Sequence, residues 1–309
     1  MTRFEEEQVR RRKAPAATFG PPPASADLVR FRRRRLGAAV IVVLALAAIV
    51  IAVSGSSGHT QTKGTKGATS STLLHLSPKA EDNVADAVSA VLAYTPFVRE
   101  GGTKGHDVAL TFDDGPGPYT PGVLSVLERL HVHATFFAIG RMERYFSVST
   151  ARELRDGDVV GDHTEDHPML ALMSAHEQKE QLFEQIARIE LLGGPRPTLF
   201  RPPYGSFNAT TMRELHALHL LMVLWSVDTG DYQLPGVEAI VQRALEGAHP
   251  GAIILMHDGG GDRSQTIAAL PQIIAGLRAK GLQPVTVPTL LRDDPPPAGQ
   301  PLPRSLSGD

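Results

Sequence analysis

The sequence predicts an α/β domain of about 185 residues with largely parallel strands, preceded by one transmembrane helix. Three observations predict it. From about His106 short apolar strands alternate with amphipathic helices, the pattern of β/α units. Nearly all of those strands end in Asp, His or Arg, at the sheet edge where α/β folds assemble their sites. Leu36–Val53 is an 18-residue run without a polar side chain, just long enough to span a membrane.

Composition bounds the function. By length, 309 residues are two domains' worth, or one large α/β domain with appendages. A 42% hydrophobic, 21% charged chain is globular. With 31 basic and 33 acidic residues the net charge is -2, which gives no electrostatic footprint for nucleic acid. Cysteine is absent, which excludes disulfides, thiolate-held clusters and thiol nucleophiles. A transition-metal site would have to draw on imidazole and carboxylate.

The average charge hides a split. Residues 1–35 carry ten basic and four acidic side chains, so a +6 tail precedes a -8 remainder. Arg32–Arg35 abut the apolar run, which places that flank on the cytoplasmic side and the rest outside. A cleaved signal peptide is the rival reading and would make the protein secreted. The run exceeds the usual 7–15-residue apolar core, and no clear Ala-x-Ala site follows it. The expected order is therefore a disordered basic cytoplasmic tail (1–35), a transmembrane anchor (36–53), a Gly/Ser/Thr/Lys-rich tether (54–76) and a short helical lead-in (77–105). The β/α domain (106–291) and a loose Pro-rich tail (292–309) complete it.

Within the domain, Val108–Phe112 reads as the first strand and Val123–Leu130, after Pro121, as a helix. Ala134–Gly140 and Asp158–His163 are the next strands. Ser174 with Glu177 forms a capping box opening a helix to about Leu192. TLFRPP, LMVLWSVD and GAIILMHD are further strands or strand ends, with helices at about 209–217, 236–247 and 265–280, and QPVTVP closes the pattern. Periodicity alone does not separate a doubly wound sheet from a barrel.

Five clusters carry chemistry. Asp113 and Asp114, in TFDDGP, are adjacent carboxylates at a strand end, suited to metal binding and proton transfer; a plain Asp-Gly turn is the alternative. His163 and His167, in HTEDHP, are four apart, which on a helical turn puts both rings on one face; with a carboxylate from elsewhere they make a divalent-metal set. Glu165 and Asp166 between them read as solvated. Arg201, in RPPYG, can grip a carboxylate, in a loop whose path two prolines fix, with Tyr204 beside it. Asp228, in WSVDTGDY, is placed to orient a histidine, and Trp225 is either a sugar-facing wall or core. His257, in ILMHDGG, follows an apolar strand and, with Asp228 near, is a candidate general acid.

Taken together and in this order, the five motifs resemble the signature of the NodB-homology polysaccharide deacetylases, carbohydrate esterase family 4. The resemblance covers about residues 106–290. It implies a distorted, incomplete (β/α) barrel of about seven parallel strands. It further implies Asp113 as catalytic base, Asp114, His163 and His167 as ligands of one divalent ion, and Arg201 as the residue holding the base. Asp228 would tune the acid His257. The backbone N–H of Tyr204 would face the oxyanion, and Leu255 and Trp225 would line the acetyl pocket. The implied activity is metal-dependent N-deacetylation of an acetylated glycan, with peptidoglycan N-acetylglucosamine first; chitin or chitooligosaccharide and acetylxylan share the chemistry, and a non-catalytic glycan-binding module is the alternative of another class. Zn²⁺ is the expected metal, with Co²⁺ or Ni²⁺ equally suited to the donors. Asp162 and Tyr232 depart from the family's frequent Asn and Trp.

Overall fold

The structure is a computed structural model. The chain divides into two units, residues 1–72 and 73–309, and residues 86–301 are described. The expectation of a transmembrane helix is corrected: no helix among the described residues is long and apolar enough to cross a membrane, and the run at 36–53 lies outside them. The membrane partner and the single-pass localisation expected from that run are corrected with it. The tail and tether expected at 1–76 also lie outside the described residues.

One curled, parallel sheet of nine strands organises the domain. The strands are β1 (Phe97–Val98), β2 (Asp107–Asp113), β3 (Thr135–Ala138), β4 (Val159–Asp162), β5 (Leu199–Phe200), β6 (Leu221–Val223), β7 (Val227–Asp228), β8 (Ile253–His257) and β9 (Gln283–Val285). They run in the order β1-β6-β5-β4-β3-β2-β8-β7, with β9 on the start of β2. β1 and β7 end the path and do not pair with each other, so the barrel is incomplete. The helices are α1 (Thr120–Leu130), α2 (Gly140–Asp156), α3 (Ala175–Leu191), α4 (Ala209–Leu218), α5 (Val237–Gly247), α6 (Ser264–Ala279) and α7 (Val287–Asp293).

Strand parity decides what faces the interior. Side chains alternate along β2: Val108, Leu110 and Phe112 pack against α1, α5 and α6 in the largest apolar cluster. Ala109, Thr111 and Asp113 therefore face the barrel interior. There Ala109 meets Phe137, Leu199, Val223 and Ile253. The same cluster includes Val88 and Val91 from the helical residues 86–92, and Val287 and Leu290 from α7.

Three elements differ from the expectation. LMVLWSVD is two strands, not one. The N–H of Leu224 bonds Val98 O (2.7 Å) and that of Ser226 bonds Ile253 O (3.1 Å), so the chain steps from the β1 side to β8. That change of partner carries the chain across the open side of the barrel and leaves no trace in periodicity. α2, where no helix was expected, has an inverted pattern: Glu143, Thr150 and Glu153 are buried, while Tyr145 and Val148 are exposed. The start of the Pro-rich tail is tied down. Asp294 accepts from the N–H groups of Lys104 (2.6 Å) and Gly105 (2.7 Å), and Gln300 bonds Arg99 N and Glu100 O, both at 2.8 Å. The Ser174–Glu177 capping box is formed as expected.

Candidate active site

β2 and β8 are parallel neighbours, and their register sets Asp113 beside His257 at the C-terminal edge. On the other side β4 leads directly into His163, and β5 into Arg201, whose N–H bonds Asp162 O (2.9 Å). Four strand ends thus converge on one mouth.

Asp114, His163 and His167 offer three ligand atoms within 4.8 Å of one another. His167 Nε2 lies 3.0 Å and His163 Nε2 3.5 Å from Asp114 Oδ1. His163 Nδ1 is 2.6 Å from the carbonyl of Arg201. A carbonyl only accepts, so Nδ1 carries the proton and Nε2 keeps its lone pair for a metal. Burial alone would raise Asp114, yet the imidazoles of His163 and His167 beside it hold its carboxyl well below the usual carboxylate range. One carboxylate and two imidazoles, with no thiolate, fit a borderline divalent ion and leave positions for water and substrate.

The two histidines do not meet on a helical turn. Residues 163–167 form a loop in which Thr164 (φ 69°) and His167 (φ 61°) are left-handed. Asp162 Oδ1 accepts from Thr164 N (2.7 Å) and Thr164 Oγ1 from His167 N (3.0 Å). The start of α2 clamps the loop, with Gly140 N on Thr164 O and Arg141 N on Glu165 O. Glu165 is buried, not solvated: its side chain pairs with Arg144 and its N–H bonds Gln181 O. Asp166 remains half exposed, beside Arg141.

Arg201 is fully buried. Nη1 donates to Asp113 Oδ1 and Thr111 Oγ1, both at 2.8 Å; Nε donates to Val223 O (3.0 Å) and Nη2 to Leu224 O (3.1 Å). The guanidinium also lies over the Phe137 ring (4.2 Å to its centre), with Trp225 at 5.7 Å. Burial lowers the pKa of Arg201, and Asp113 opposes the shift. The other oxygen of Asp113 lies 3.8 Å from His163 Nε2, so this carboxylate borders the metal pocket without being a ligand.

The partner of His257 is Asp231, not Asp228. Asp231 Oδ1 lies 2.7 Å from His257 Nδ1; Oδ2 accepts from the N–H of His257 (2.8 Å) and the hydroxyl of Thr266 (2.7 Å). Burial works against the imidazolium, but Asp231, with Asp114 and Asp113 beyond it, raises the pKa of His257 to about 9. Asp228 instead accepts from Gly230 N (2.8 Å) and the Tyr232 hydroxyl (3.3 Å). It shapes the turn that presents Asp231. Gly230 is left-handed (φ 62°), and the 3₁₀ turn Asp231–Gln233 follows it. Both aspartates stand in WSVDTGDY; only the direction of this turn distinguishes them.

The remaining expected residues surround the mouth. Tyr204 is left-handed (φ 58°) and exposed, its ring edge-on to His167 at 4.5 Å. Leu255 is buried on β8, between Thr111 of β2 and Asp228 of β7. Trp225 is half-buried against the interior cluster. Tyr232 lies edge-on to His257 at 5.2 Å.

Residues 100–223 match the family model described as polysaccharide deacetylase. The chain is 39% identical over 196 residues to a peptidoglycan-N-acetylglucosamine deacetylase of Bacillus cereus, covering 60% of this chain and 88% of that protein. It is 37% identical over 194 residues to a chitooligosaccharide deacetylase of Azorhizobium caulinodans, covering 58% and 92%. The crystal structure of the Bc1960 peptidoglycan N-acetylglucosamine deacetylase superposes with a TM-score of 0.62 at 34% identity, covering 65% of this chain and 95% of that one. With a curled parallel sheet, a His₂Asp ligand set at its mouth and relatives of this closeness, the chain belongs to the polysaccharide deacetylase family.

Proposed function

We propose that the protein hydrolyses the N-acetyl groups of peptidoglycan N-acetylglucosamine. The observation that carries this reading is the pairing of Asp113 with His257 across β2 and β8, directly beside the Asp114–His163–His167 set. Attack on an amide needs a base for the water and an acid for the amine, on either side of one carbonyl. The peptidoglycan deacetylases among the relatives support the substrate. The chitooligosaccharide deacetylase relative supports a second substrate with the same N-acetylglucosamine unit.

Asp114, His163 and His167 would hold a divalent ion, Zn²⁺ as we read the donor set, which would polarise the acetyl carbonyl and lower the pKa of a bound water. Asp113 takes the proton of the attacking water at Oδ2, while Arg201 occupies Oδ1 and keeps the carboxylate aimed. The N–H of Tyr204 donates to the developing oxyanion. His257 gives its Nε2 proton to the leaving amine, and Asp231 stabilises the imidazolium that must exist beforehand. Leu255 and Trp225 form the wall against the acetyl methyl. Free amino sugar and acetate leave.

The test is acetate release from purified peptidoglycan, chitin oligomers and acetylxylan. Release from peptidoglycan is expected, lost on chelation and restored by Zn²⁺, Co²⁺ or Ni²⁺ in an order that identifies the metal. Release that survives exhaustive chelation would overturn the metal-dependent reading; no release from any substrate by the metal-loaded chain would leave a glycan-binding module.

A pH profile tests the acid. Protonated His257 is the competent form, so kcat/KM falls as pH rises through its pKa. Asp231→Asn removes the carboxylate that raises this pKa, and the alkaline limb is expected to move to lower pH by about 1–3 units. An unmoved limb would show that another group supplies the proton.

A further inference from the structure

Beneath the metal pocket lies a buried carboxylate that the mechanism above does not use. Asp258, next to His257, is fully buried. Its N–H donates to Asp113 O (3.1 Å), and so does that of Gly259 (3.4 Å). The Thr120 hydroxyl donates to Asp258 Oδ2 and accepts from the N–H of Gly117 (2.7 Å). Gly115 rests on the carboxylate: a Cβ there would collide with both oxygens. A Cβ on Gly259 would strike Asp114 O, and one on Gly260 would strike Asp114 Oδ2. The loop after β8 is thus moulded around the turn Asp113–Gly117.

That turn is not self-supporting. Asp114 is left-handed (φ 71°), a conformation that L side chains rarely adopt and that persists only where its surroundings hold it. The grip comes through Ile139 N on Gly115 O (2.8 Å), Asp258 N on Asp113 O, and the Asp258–Thr120–Gly117 chain. Among the side chains, only Asp258 and Thr120 take part in that chain. They also connect the strand end that carries Asp113 to the one that carries His257.

We propose that Asp258 and Thr120 are positioning residues that hold the Asp113–Gly117 turn and so place Asp114 as a metal ligand. This rests on the metal-dependent reading of the site. Groups that orient first ligands typically alter metal affinity by about 10–100-fold when removed. In the full chain, Asp258→Ala and Thr120→Val are each expected to weaken Co²⁺ binding by about 10–100-fold in competition with a chromophoric chelator, and to change the visible d–d spectrum of the bound cobalt. Asp258→Asn keeps an acceptor oxygen for Thr120 and is expected to recover both affinity and spectrum.

Wild-type cobalt affinity and spectrum in Thr120→Val and in Asp258→Ala, with a lowered Tm alone, would overturn the proposal and leave Asp258 as a packing residue. If Asp258→Ala does not fold, Thr120→Val and Asp258→Asn decide the matter, since both preserve side-chain volume. A wild-type chain that binds no cobalt would instead overturn the metal reading itself, and that failure appears before any substitution is made.

Discussion

Asp113→Asn is expected to lower kcat by about 10²–10⁴-fold, the range for removal of a general base, while metal content and Co²⁺ affinity stay near wild type. Asparagine is isosteric, and its carbonyl oxygen can still accept from Arg201 Nη1, which now sits 2.8 Å from Asp113 Oδ1. What it loses is the ability to take a proton. Asp113 is not in the ligand set, so the loss falls on turnover and not on loading. Steady-state rates beside metal analysis of the same preparations separate the two. A variant that retains half of wild-type turnover would show that the water is deprotonated elsewhere; one that loses its metal would show that Asp113 is a ligand after all.

Arg201→Ala is expected to cost about 3–5 kcal/mol of stability, the range for breaking a buried ion pair from one side, and to abolish turnover. The residue is fully buried and donates to Asp113, Thr111 and the carbonyls of Val223 and Leu224. Removing it leaves the Asp113 carboxylate uncompensated and the two carbonyls, at the point where the chain leaves β6, without their donor. Urea unfolding reads the loss, and the fall in Tm is expected to be about 10 °C for a domain of this size. Arg201→Lys keeps the charge but lacks the planar fork, so it reaches only some of these acceptors and is expected to fall between Ala and wild type. An Arg201→Ala protein within 1 kcal/mol of wild type, by the same urea measurement as the ~3–5 kcal/mol expectation, would mean that the interior polar network contributes nothing net.

Two helices show where sequence patterning stops being informative. α3 is legible because its cap is local: Ser174 and Glu177 exchange hydrogen bonds within one turn. α2 is not, because Glu143, Thr150 and Glu153 are buried while Tyr145 and Val148 face solvent. Burial raises the carboxyl pKa of Glu143 to about 8. An amphipathic reading presupposes apolar burial, and α2 reverses it beneath the ligand loop. Glu165 escapes for the same reason. Its neighbours in sequence are polar, but the start of α2 and Gln181 of α3 enclose it.

The choice between Asp228 and Asp231 has a different origin. Both are carboxylates at the end of one strand, three residues apart, and either could reach a neighbouring histidine. Gly230 in the left-handed region turns the chain so that Asp231 meets β8, while Asp228 is spent on the turn itself. Backbone direction at one glycine decides it.

By itself the sequence determined the kind of chemistry: two imidazoles, adjacent aspartates, an arginine able to grip a carboxylate and a further histidine, at or shortly after the ends of apolar strands, and no thiol. Those are properties of side chains and of local periodicity, and they are written residue by residue. Which of these groups touch was decided only by the tertiary structure. Asp113 meets His257 through the register of β2 on β8. Arg201 reaches Asp113 across the barrel interior. His163 is aimed by a carbonyl on the neighbouring strand. Each is a contact between segments far apart in the chain, and its geometry follows from parallel strand pairing and barrel curvature, which no local window of sequence contains.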